Sequence, residues 1–185
     1  SSDGTVTLAS ALDYETATAY EITLTASDGD NTVSETLTIN VGDINEAPTV
    51  TTTLAASSVA EDAATGTTVA TSSASDPESS SISYSLSGTG SDNFSVDANG
   101  NVTVASSLDY ETTTSYTITL TASDGTNSTQ ETITINVSDV DEFALALSST
   151  SPAINEGVST GTQVATSTLT QQDSASVTYS LSGTG

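Results

Sequence analysis

The side chains that could carry acid–base or metal chemistry in this sequence are almost all carboxylates. The 185-residue chain has 24 Asp and Glu residues and contains no Lys, Arg, His or Cys. No internal salt bridge can form, so the net charge of −24 must be screened by salt or neutralised by bound cations. An enzyme built from this set would depend on a carboxylate pair, as in glycoside hydrolysis, because the usual general bases and nucleophiles are missing. We therefore predict that the chain is not an enzyme.

The composition also limits the partners that the chain can bind. Oxygen ligands suit hard cations such as Ca²⁺, whereas typical zinc sites need Cys or His. Nucleic acids and anionic membranes are disfavoured because no basic side chain can contact a phosphate. No apolar run is long enough to span a bilayer, so direct membrane insertion is not expected.

One acidic segment occurs twice and reveals an internal repeat. Leu12-Asp13-Tyr14-Glu15 recurs letter for letter at Leu108-Asp109-Tyr110-Glu111, 96 positions later (108 − 12). In both places an alternating strand, an Ala-Ser-Asp-Gly turn, a second strand and an acidic segment follow in the same order. Farther along, Val164 and Tyr179 repeat Val69 and Tyr84 at an offset of 95 (164 − 69). A fixed period of this size is typical of tandem modules.

The repeat divides the chain into three parts. Residues 1–46 form the rear part of a module, residues 47–142 a complete module, and residues 143–185 the front part of a third. About seven short alternating segments separated by turn residues in about 95 residues predict a β-sandwich. The predicted fold class is therefore all-β, with tandem Greek-key β-sandwich modules, and the chain is expected to be part of a longer array.

Period-2 alternation of apolar and polar residues locates the strands. The third part is expected to repeat the early strands of the complete module, around Val164 and from Tyr179 onward. The other predicted strands are Thr5–Leu8, Tyr20–Ala26, Leu37–Val41, Val50–Val59, Thr67–Thr71, Ile82–Leu86, Phe94–Val96, Val102–Val104, Tyr116–Ala122 and Ile133–Val137.

The order of the acidic motifs resembles that of a cadherin repeat, and is most similar to the cadherin-like modules of long bacterial surface adhesins. The resemblance covers essentially the whole chain. The motifs that carry it in the complete module are Glu61, Ala-Ser-Asp76-Pro-Glu78, Leu-Asp109-Tyr-Glu111, Ala-Ser-Asp124-Gly and Asp139-Val-Asp141-Glu142.

The resemblance implies Ca²⁺ held between successive modules by acidic and amide side chains. At the first junction the implied ligands are Asp13, Glu15, Asp43, Asn45 and Glu46 from the first module and Asp76, Glu78 and Asp124 from the second. At the second junction they are Glu61, Asp109, Glu111, Asp139, Asp141 and Glu142, which would meet Asp173.

Departures from the family pattern distinguish the two junctions. Gln171 stands at the position equivalent to Asp76, and Phe143 replaces the Ala-Pro pair that ends at Pro48. Tyr14 and Tyr110 stand where the family commonly has Arg, a side chain that is not a ligand. We therefore expect fewer or weaker ions at the second junction.

Simpler interpretations exist for several of these residues. Asp28-Gly29 and Asp124-Gly125 are good turn residues without any metal. Asp43 and Asp139 would serve equally as solvated linker acids. The alternating threonines around Thr119 indicate either a glycan- or ice-binding face or the polar face of ordinary strands.

The resemblance implies a calcium-stiffened structural spacer in a long extracellular adhesin or surface filament, located on a bacterial cell surface. Its partners would be neighbouring repeats or like chains. Two alternatives remain: a glycan- or surface-binding β-sandwich module, and a short subunit that assembles into a fibre by strand complementation.

Overall fold

The chain is built from short β-strands and one turn of 3-10 helix. The computed structural model describes residues 4–78, 81–171 and 176–183, and among these no helix is long and apolar enough to cross a membrane. The 3-10 turn is Ser91–Asn93. The strands are β1 (Ala19–Ser27), β2 (Thr32–Asn40), β3 (Thr49–Leu54), β4 (Val59–Ala60), β5 (Thr68–Ser75), β6 (Ser83–Ser87), β7 (Phe94–Val96), β8 (Asn101–Val104), β9 (Ser115–Ser123), β10 (Ser128–Ser138), β11 (Phe143–Leu147) and β12 (Ser167–Gln171).

Strands β3 to β10 form two four-stranded sheets, which we call the central sandwich. One sheet has the order β3-β5-β8-β7 and is antiparallel throughout. The other has the order β4-β10-β9-β6, in which only the short β4 pairs in parallel with its neighbour. Strands that follow one another in sequence often lie in different sheets, so the chain crosses the sandwich repeatedly. The predicted all-β sandwich is therefore confirmed.

The core is aliphatic because alternate residues of both sheets face inward. On β9 and β10, Ile118, Leu120, Ile133 and Ile135 are buried, while the threonines between them lie on the opposite face. The remaining buried apolar residues of the core are Val59, Val69, Ala70, Phe94, Val102, Val104, Leu108 and Val137. The threonine rows are thus the polar outer face of strands whose inner face is core.

Two local features complete this packing. A register shift in β5 between Thr68 and Ala70 lets the consecutive residues Val69 and Ala70 both be buried, as a β-bulge permits. The rings of Phe94 and Tyr116 meet edge to face, with centroids 5.3 Å apart. The aromatic contact joins the two sheets next to the 3-10 turn, because Phe94 lies in one sheet and Tyr116 in the other.

Outside the central sandwich, each flanking segment contains one two-stranded sheet. In residues 4–46, which we call the N-terminal segment, β1 pairs with β2 from Ala19 opposite Asn40 to Ser27 opposite Thr32. In the described residues from 143 to 183, which we call the C-terminal segment, β11 pairs with β12.

Three strand predictions are wrong in these flanking segments. Residues 5–8 and residues 176–183 contain no strand, and the strand expected around Val164 begins only at Ser167. The equivalent residues of the central sandwich form β8, β6 and β5, which pair with strands from the other half of the sandwich. A strand needs a hydrogen-bonded neighbour, so the same alternating pattern does not form one where that neighbour is missing.

A further detail is that the region predicted as one strand from Val50 to Val59 is two strands. Strand β3 ends at Leu54 and β4 begins at Val59, in the other sheet. The residues between them, 55–58, cross from one sheet to the other.

Gly100 provides a test of packing inside the central sandwich. Its φ of 82° is in the left-handed region, and an added Cβ would collide with the carbonyl oxygen of Ser72. Gly66 has a similar φ of 89° but open space around the position of its Cβ. We predict that Gly100→Ala lowers the free energy of unfolding by about 1–3 kcal/mol more than Gly66→Ala, because only the former adds overpacking to backbone strain.

Urea unfolding of the two variants measures this difference directly. Equal losses of stability would contradict the close approach of Gly100 to β5.

Candidate metal centre

Three carboxylates meet where the N-terminal segment joins the central sandwich. Glu15, Glu46 and Glu78 each place one carboxylate oxygen within 4.8 Å of the other two. Glu15 comes from the turn after Leu12, Glu46 from the linker between β2 and β3 (residues 41–48), and Glu78 from the loop after β5. Residues of the N-terminal segment, of the linker and of the central sandwich therefore share one small volume.

The charge in this group is poorly compensated within the protein. Both carboxylate oxygens of Glu78 are buried and have no hydrogen-bond partner among the described residues. A hydrogen bond with the Glu78 carboxyl, then burial and the nearby charges of Glu78, Glu15 and Asp43, raises the pKa of Glu46 to about 7. Two carboxyls can share a hydrogen bond only when one of them carries a proton. Glu78 is therefore hydrogen-bonded to Glu46 only when the pair holds a proton.

The linker is attached to the central sandwich beside this group. The Asn45 side-chain amide donates a hydrogen bond of 2.7 Å to Asp124 Oδ2, in the turn between β9 and β10. From the same turn, Asn127 Nδ2 donates to the carbonyl oxygens of Asn45 at 2.7 Å and Glu46 at 3.2 Å. These bonds fix the linker backbone next to the Glu46 carboxylate.

The Asp124 carboxylate stabilises its own turn and also contacts the linker. Its Oδ1 accepts hydrogen bonds from the backbone N–H groups of Thr126 and Asn127, each 2.6 Å long. The Asn45 side-chain bond first, followed by these two N–H groups, lowers the pKa of the Asp124 carboxyl. Asp28 makes the same kind of turn, with bonds from Asp30 and Asn31. The turn is therefore local, and Asp124 adds the contact with Asn45.

The contact of Asn127 with the linker was not predicted from the sequence. The signal was present, because Asn31 occupies the same place 96 positions earlier (127 − 31). An amide side chain repeated at one turn position suggests a specific hydrogen-bonding role.

A second group of carboxylates lies at the other end of the central sandwich. Glu61, Glu111 and Asp139 also bring one oxygen each within 4.8 Å of the other two. Glu61 is only 6% exposed, and its two oxygens accept 2.7 Å bonds from the backbone N–H groups of Tyr110 and Val140. A buried carboxylate without a cation in the chain is stable only with such donors or a bound metal.

The two groups mark the two ends of strand β10. Asn127, which contacts the first linker, directly precedes Ser128, the first residue of β10. Asp139 directly follows Ser138, its last residue, and Glu61 N–H donates to the carbonyl oxygen of Ser138. At roughly 3.4 Å per residue, a strand of 11 residues separates the two groups by over 30 Å.

Asp13 and Asp109 serve mainly their own turns. Asp13 accepts bonds from the backbone N–H and hydroxyl of Thr16, which lower the pKa of its carboxyl, and Asp109 accepts a bond from Thr112 N–H. Neither joins the two carboxylate groups. Asp43, Asp76, Asp141 and Glu142 also lie outside these groups, and Asp173 lies outside the described residues.

The geometry of both groups fits Ca²⁺. Calcium ligands lie about 2.3–2.6 Å from the ion, so two oxygens on one ion are at most about 5 Å apart. The observed limit of 4.8 Å satisfies this condition in both groups. When Glu46 is also ionised, the buried oxygens of Glu78 have no hydrogen-bond donor among the described residues and can serve as ligand atoms.

Comparison with known proteins shows which family this architecture resembles. A family model of the cadherin domain matches residues 56–138, within the central sandwich. No curated protein matches the chain.

Several solved structures are similar to the chain. Protocadherin Gamma B7 extracellular cadherin domains 1-4 are 30% identical, with a TM-score of 0.54 over 89% of this chain and 43% of that one. The Protocadherin gammaB7 EC3-6 cis-dimer structure is 27% identical, with a TM-score of 0.53 over 88% and 41%. Protocadherin Gamma B2 extracellular cadherin domains 3-6 are 24% identical and share the fold, with a TM-score of 0.57 over 85% and 40%.

The chain spans about two fifths of the length of these solved chains. The two-sheet topology, the matched residues 56–138 and the similarity along the flanking segments agree with one another. The chain is therefore built from cadherin-like repeats.

Proposed function

We propose that the chain is a calcium-stiffened structural spacer in an extracellular adhesin or surface filament of a bacterium. The observation that carries this proposal is the pair of three-carboxylate groups at opposite ends of the central sandwich, in a chain without Lys, Arg or His. Each group concentrates negative charge that only protons or bound cations can neutralise.

The proposed module boundaries follow the repeat. Residues 1–46 are the rear part of one module, residues 47–142 a complete module and residues 143–185 the front part of another. The match of the cadherin domain to residues 56–138 falls within the proposed complete module and supports it.

The proposed ligand set extends each observed group to its neighbours. At the first junction Glu15, Glu46 and Glu78 form the centre, and Asp13, Asp43, Asn45, Asp76 and Asp124 complete the oxygen ligands. At the second junction Glu61, Glu111 and Asp139 form the centre, with Asp109, Asp141, Glu142 and Asp173. A calcium ion needs about six to eight oxygens, so three carboxylates alone would leave its coordination to water or to these neighbours.

Stiffening follows from where the first group takes its members. Within the proposed boundaries, Glu15 and Glu46 belong to the first module, with Glu46 at its linker end, and Glu78 belongs to the second module. One ion bound to all three would oppose bending at the linker, because bending would separate its ligands. This function suits a spacer, for which length and rigidity matter more than a binding pocket.

The similar structures support an extracellular role and like-chain partners. Those structures are described as extracellular cadherin domains, and one is described as a cis-dimer. By this similarity, neighbouring repeats or like chains are the proposed partners. A glycan-binding module would need exposed aromatic residues, and in the central sandwich Tyr84 and Tyr116 instead pack partly buried against the core.

Calcium should stabilise and stiffen the chain. A ligand that binds only the folded state adds RT ln(1 + [L]/Kd), about 2.7 kcal/mol at a hundredfold excess over Kd. We expect the melting temperature to fall and bending between modules, measured by small-angle scattering, to increase when a chelator replaces calcium. If neither changes, the metal proposal is wrong.

Two variants that each remove one negative charge distinguish calcium binding at a specific site from the general attraction of calcium to an acidic chain. Glu78→Gln should reduce calcium affinity, because it removes a ligand charge at the first junction. Glu21→Gln removes the same charge from the exposed strand β1 and should bind calcium like the wild type. Equal affinities of the two variants would contradict the assignment of Glu78.

The two junctions should differ in occupancy. Gln171 replaces the acid equivalent to Asp76, so an uncharged amide stands at that ligand position of the second junction. We predict fewer bound ions at the second junction at low calcium, measured by anomalous diffraction from crystals. Equal occupancy of both junctions would count against this prediction.

Calcium binding at the first junction should weaken as the pH falls. The pKa of Glu46 is raised to about 7, from 4.5 in the unfolded chain, so the proton stabilises the metal-free junction below pH 4.5 and this contribution is lost as the pH rises through 7. Calcium must displace that proton, and a single competing proton makes binding about 30-fold weaker at pH 5.5 than at pH 8.

Calorimetric titration at these two pH values measures the change in affinity. Glu46→Gln provides the control, because it removes the titrating carboxyl and should flatten the pH dependence at this junction. An unchanged pH dependence in the variant would show that other groups bind the proton.

A further inference from the structure

Four hydrogen bonds at the linker between β2 and β3 form a network that we call the linker latch. Asn127 Nδ2 donates to the carbonyl oxygens of Asn45 at 2.7 Å and Glu46 at 3.2 Å. Asn45 Nδ2 donates to Asp124 Oδ2 at 2.7 Å and to the carbonyl oxygen of Glu46 at 2.9 Å. Three of these bonds join the linker to the turn between β9 and β10, and the fourth braces the linker itself.

The turn between β9 and β10 holds Asn127 through its backbone. The Asn127 N–H donates to Asp124 Oδ1 at 2.6 Å, and its carbonyl oxygen accepts from the Asp124 N–H at 3.3 Å and the Ser123 hydroxyl at 2.9 Å. The turn Ser27–Asn31 has the same three bonds. The turn therefore uses the backbone of its last residue and leaves the Asn127 side chain to contact the linker.

The carboxylate of Asp124 determines the orientation of the Asn45 amide. An ionised carboxylate only accepts hydrogen bonds, so it must face Nδ2 of Asn45 and not Oδ1. This contact leaves the Asn45 oxygen, the one amide atom that suits a hard cation, available. An acid in place of Asn45 could not donate this bond.

The chain stays attached to the central sandwich beyond the linker latch. Pro48 is fully buried, and Thr49 starts β3 by pairing with Ser75. Residues 45–48 are therefore held at both ends of the stretch.

The linker latch needs neither a metal ion nor a basic side chain. Side-chain amides carry no net charge and do not titrate, so the bonds of Asn127 to carbonyl oxygens change little with salt or pH. The nearby group of Glu15, Glu46 and Glu78 consists only of acids. Removal of cations should therefore disturb that group and not the linker latch.

The linker that leaves the central sandwich at its other end is held by a different contact. The Val140 N–H donates to Glu61 Oε1 at 2.7 Å, and the Glu61 N–H donates to the carbonyl oxygen of Ser138. Val140 is equivalent to Ile44, 96 positions earlier (140 − 44), and Ile44 directly precedes Asn45. In the repeat, contacts from the preceding module thus reach the residue just before the linker latch begins.

We infer that the linker latch holds residues 45–48 to the central sandwich without calcium, with Asn127 as the positioning residue. This stretch is then a fixed extension of the central sandwich, and bending at the first junction occurs on the N-terminal side of Asn45. The linker latch also orders the backbone of Asn45 and Glu46 before an ion binds, which lowers the entropic cost of binding. That last consequence rests on the proposed function, whereas the linker latch itself does not.

Backbone nitrogen-15 relaxation of the full chain in chelator tests the linker latch directly. The order parameters of the Asn45 and Glu46 amides should be about 0.85, as in a rigid backbone, and should fall below about 0.6 in Asn127→Ala. Asn127→Asp keeps the side-chain shape and a good turn residue but removes the donor, so it should loosen the same two amides.

Matched controls make the same changes in the equivalent turn. Asn31→Ala and Asn31→Asp should leave the Asn45 and Glu46 amides rigid, because this turn does not contact the linker latch. The Val140 amide, held by Glu61, and the amides of β9 and β10 should be rigid in every variant. Flexible Asn45 and Glu46 amides in the wild type, or rigid ones in Asn127→Asp, would overturn the inference.

Calorimetric titration with calcium separates this inference from the proposed function. Asn127→Ala should bind calcium at the first junction roughly tenfold more weakly than Asn31→Ala, because the linker then becomes ordered only on binding. Equal affinities of these variants would overturn the ordering of the site by the linker latch. Absence of calcium binding to the wild type would overturn the proposed function, while the order parameters in chelator still decide whether the linker latch exists.

Discussion

Every carboxylate in this chain must be stabilised without a basic side chain. With no Lys, Arg or His, the available partners are backbone N–H groups, amide and hydroxyl side chains, protons, water and bound cations. Glu61 is satisfied by two backbone N–H groups, and Asp124 by two more and by Asn45. Glu46 and Glu78 instead face each other across the first junction. The first junction, where these two carboxylates lack backbone N–H donors, is thus the place that suits a bound cation best.

Because the chain has no basic side chains, the interactions within the central sandwich differ in kind from those at the two junctions. The core of the central sandwich is aliphatic and contains no charged group apart from Glu61 at its end. Its cohesion therefore depends on apolar burial and strand pairing, which change little with salt or calcium. The junctions contain the clustered charge, so the proposed binding of ions and protons would act there. In the proposed spacer, this division would allow a change of stiffness without unfolding of the modules.

The sequence predicted the sandwich well because alternation and turn residues coincide along residues 47–142. Ile118, Leu120, Ile133 and Ile135 are buried as the period-2 pattern requires. The pattern failed at residues 5–8 and 178–182, where the alternation is equally good but the neighbouring strand is missing. At the junctions, the order of acidic motifs indicated the right regions. It could not show that Asp13 binds Thr16 or that Asn127 binds the linker, because both depend on local side-chain direction.

The internal repeat shows which parts of this design are encoded locally. Asp13 and Asp109 make the same turn contacts, and so do Asp28 and Asp124, although one member of each pair lies outside the central sandwich. By contrast, Leu8 and Val104 share a sequence position in the repeat but differ completely in burial. Acidic turns therefore form from nearby residues alone, whereas the sheets depend on distant ones. If calcium binds at the junctions as proposed, carboxylates held by such local turns would lower the conformational entropy cost of its binding.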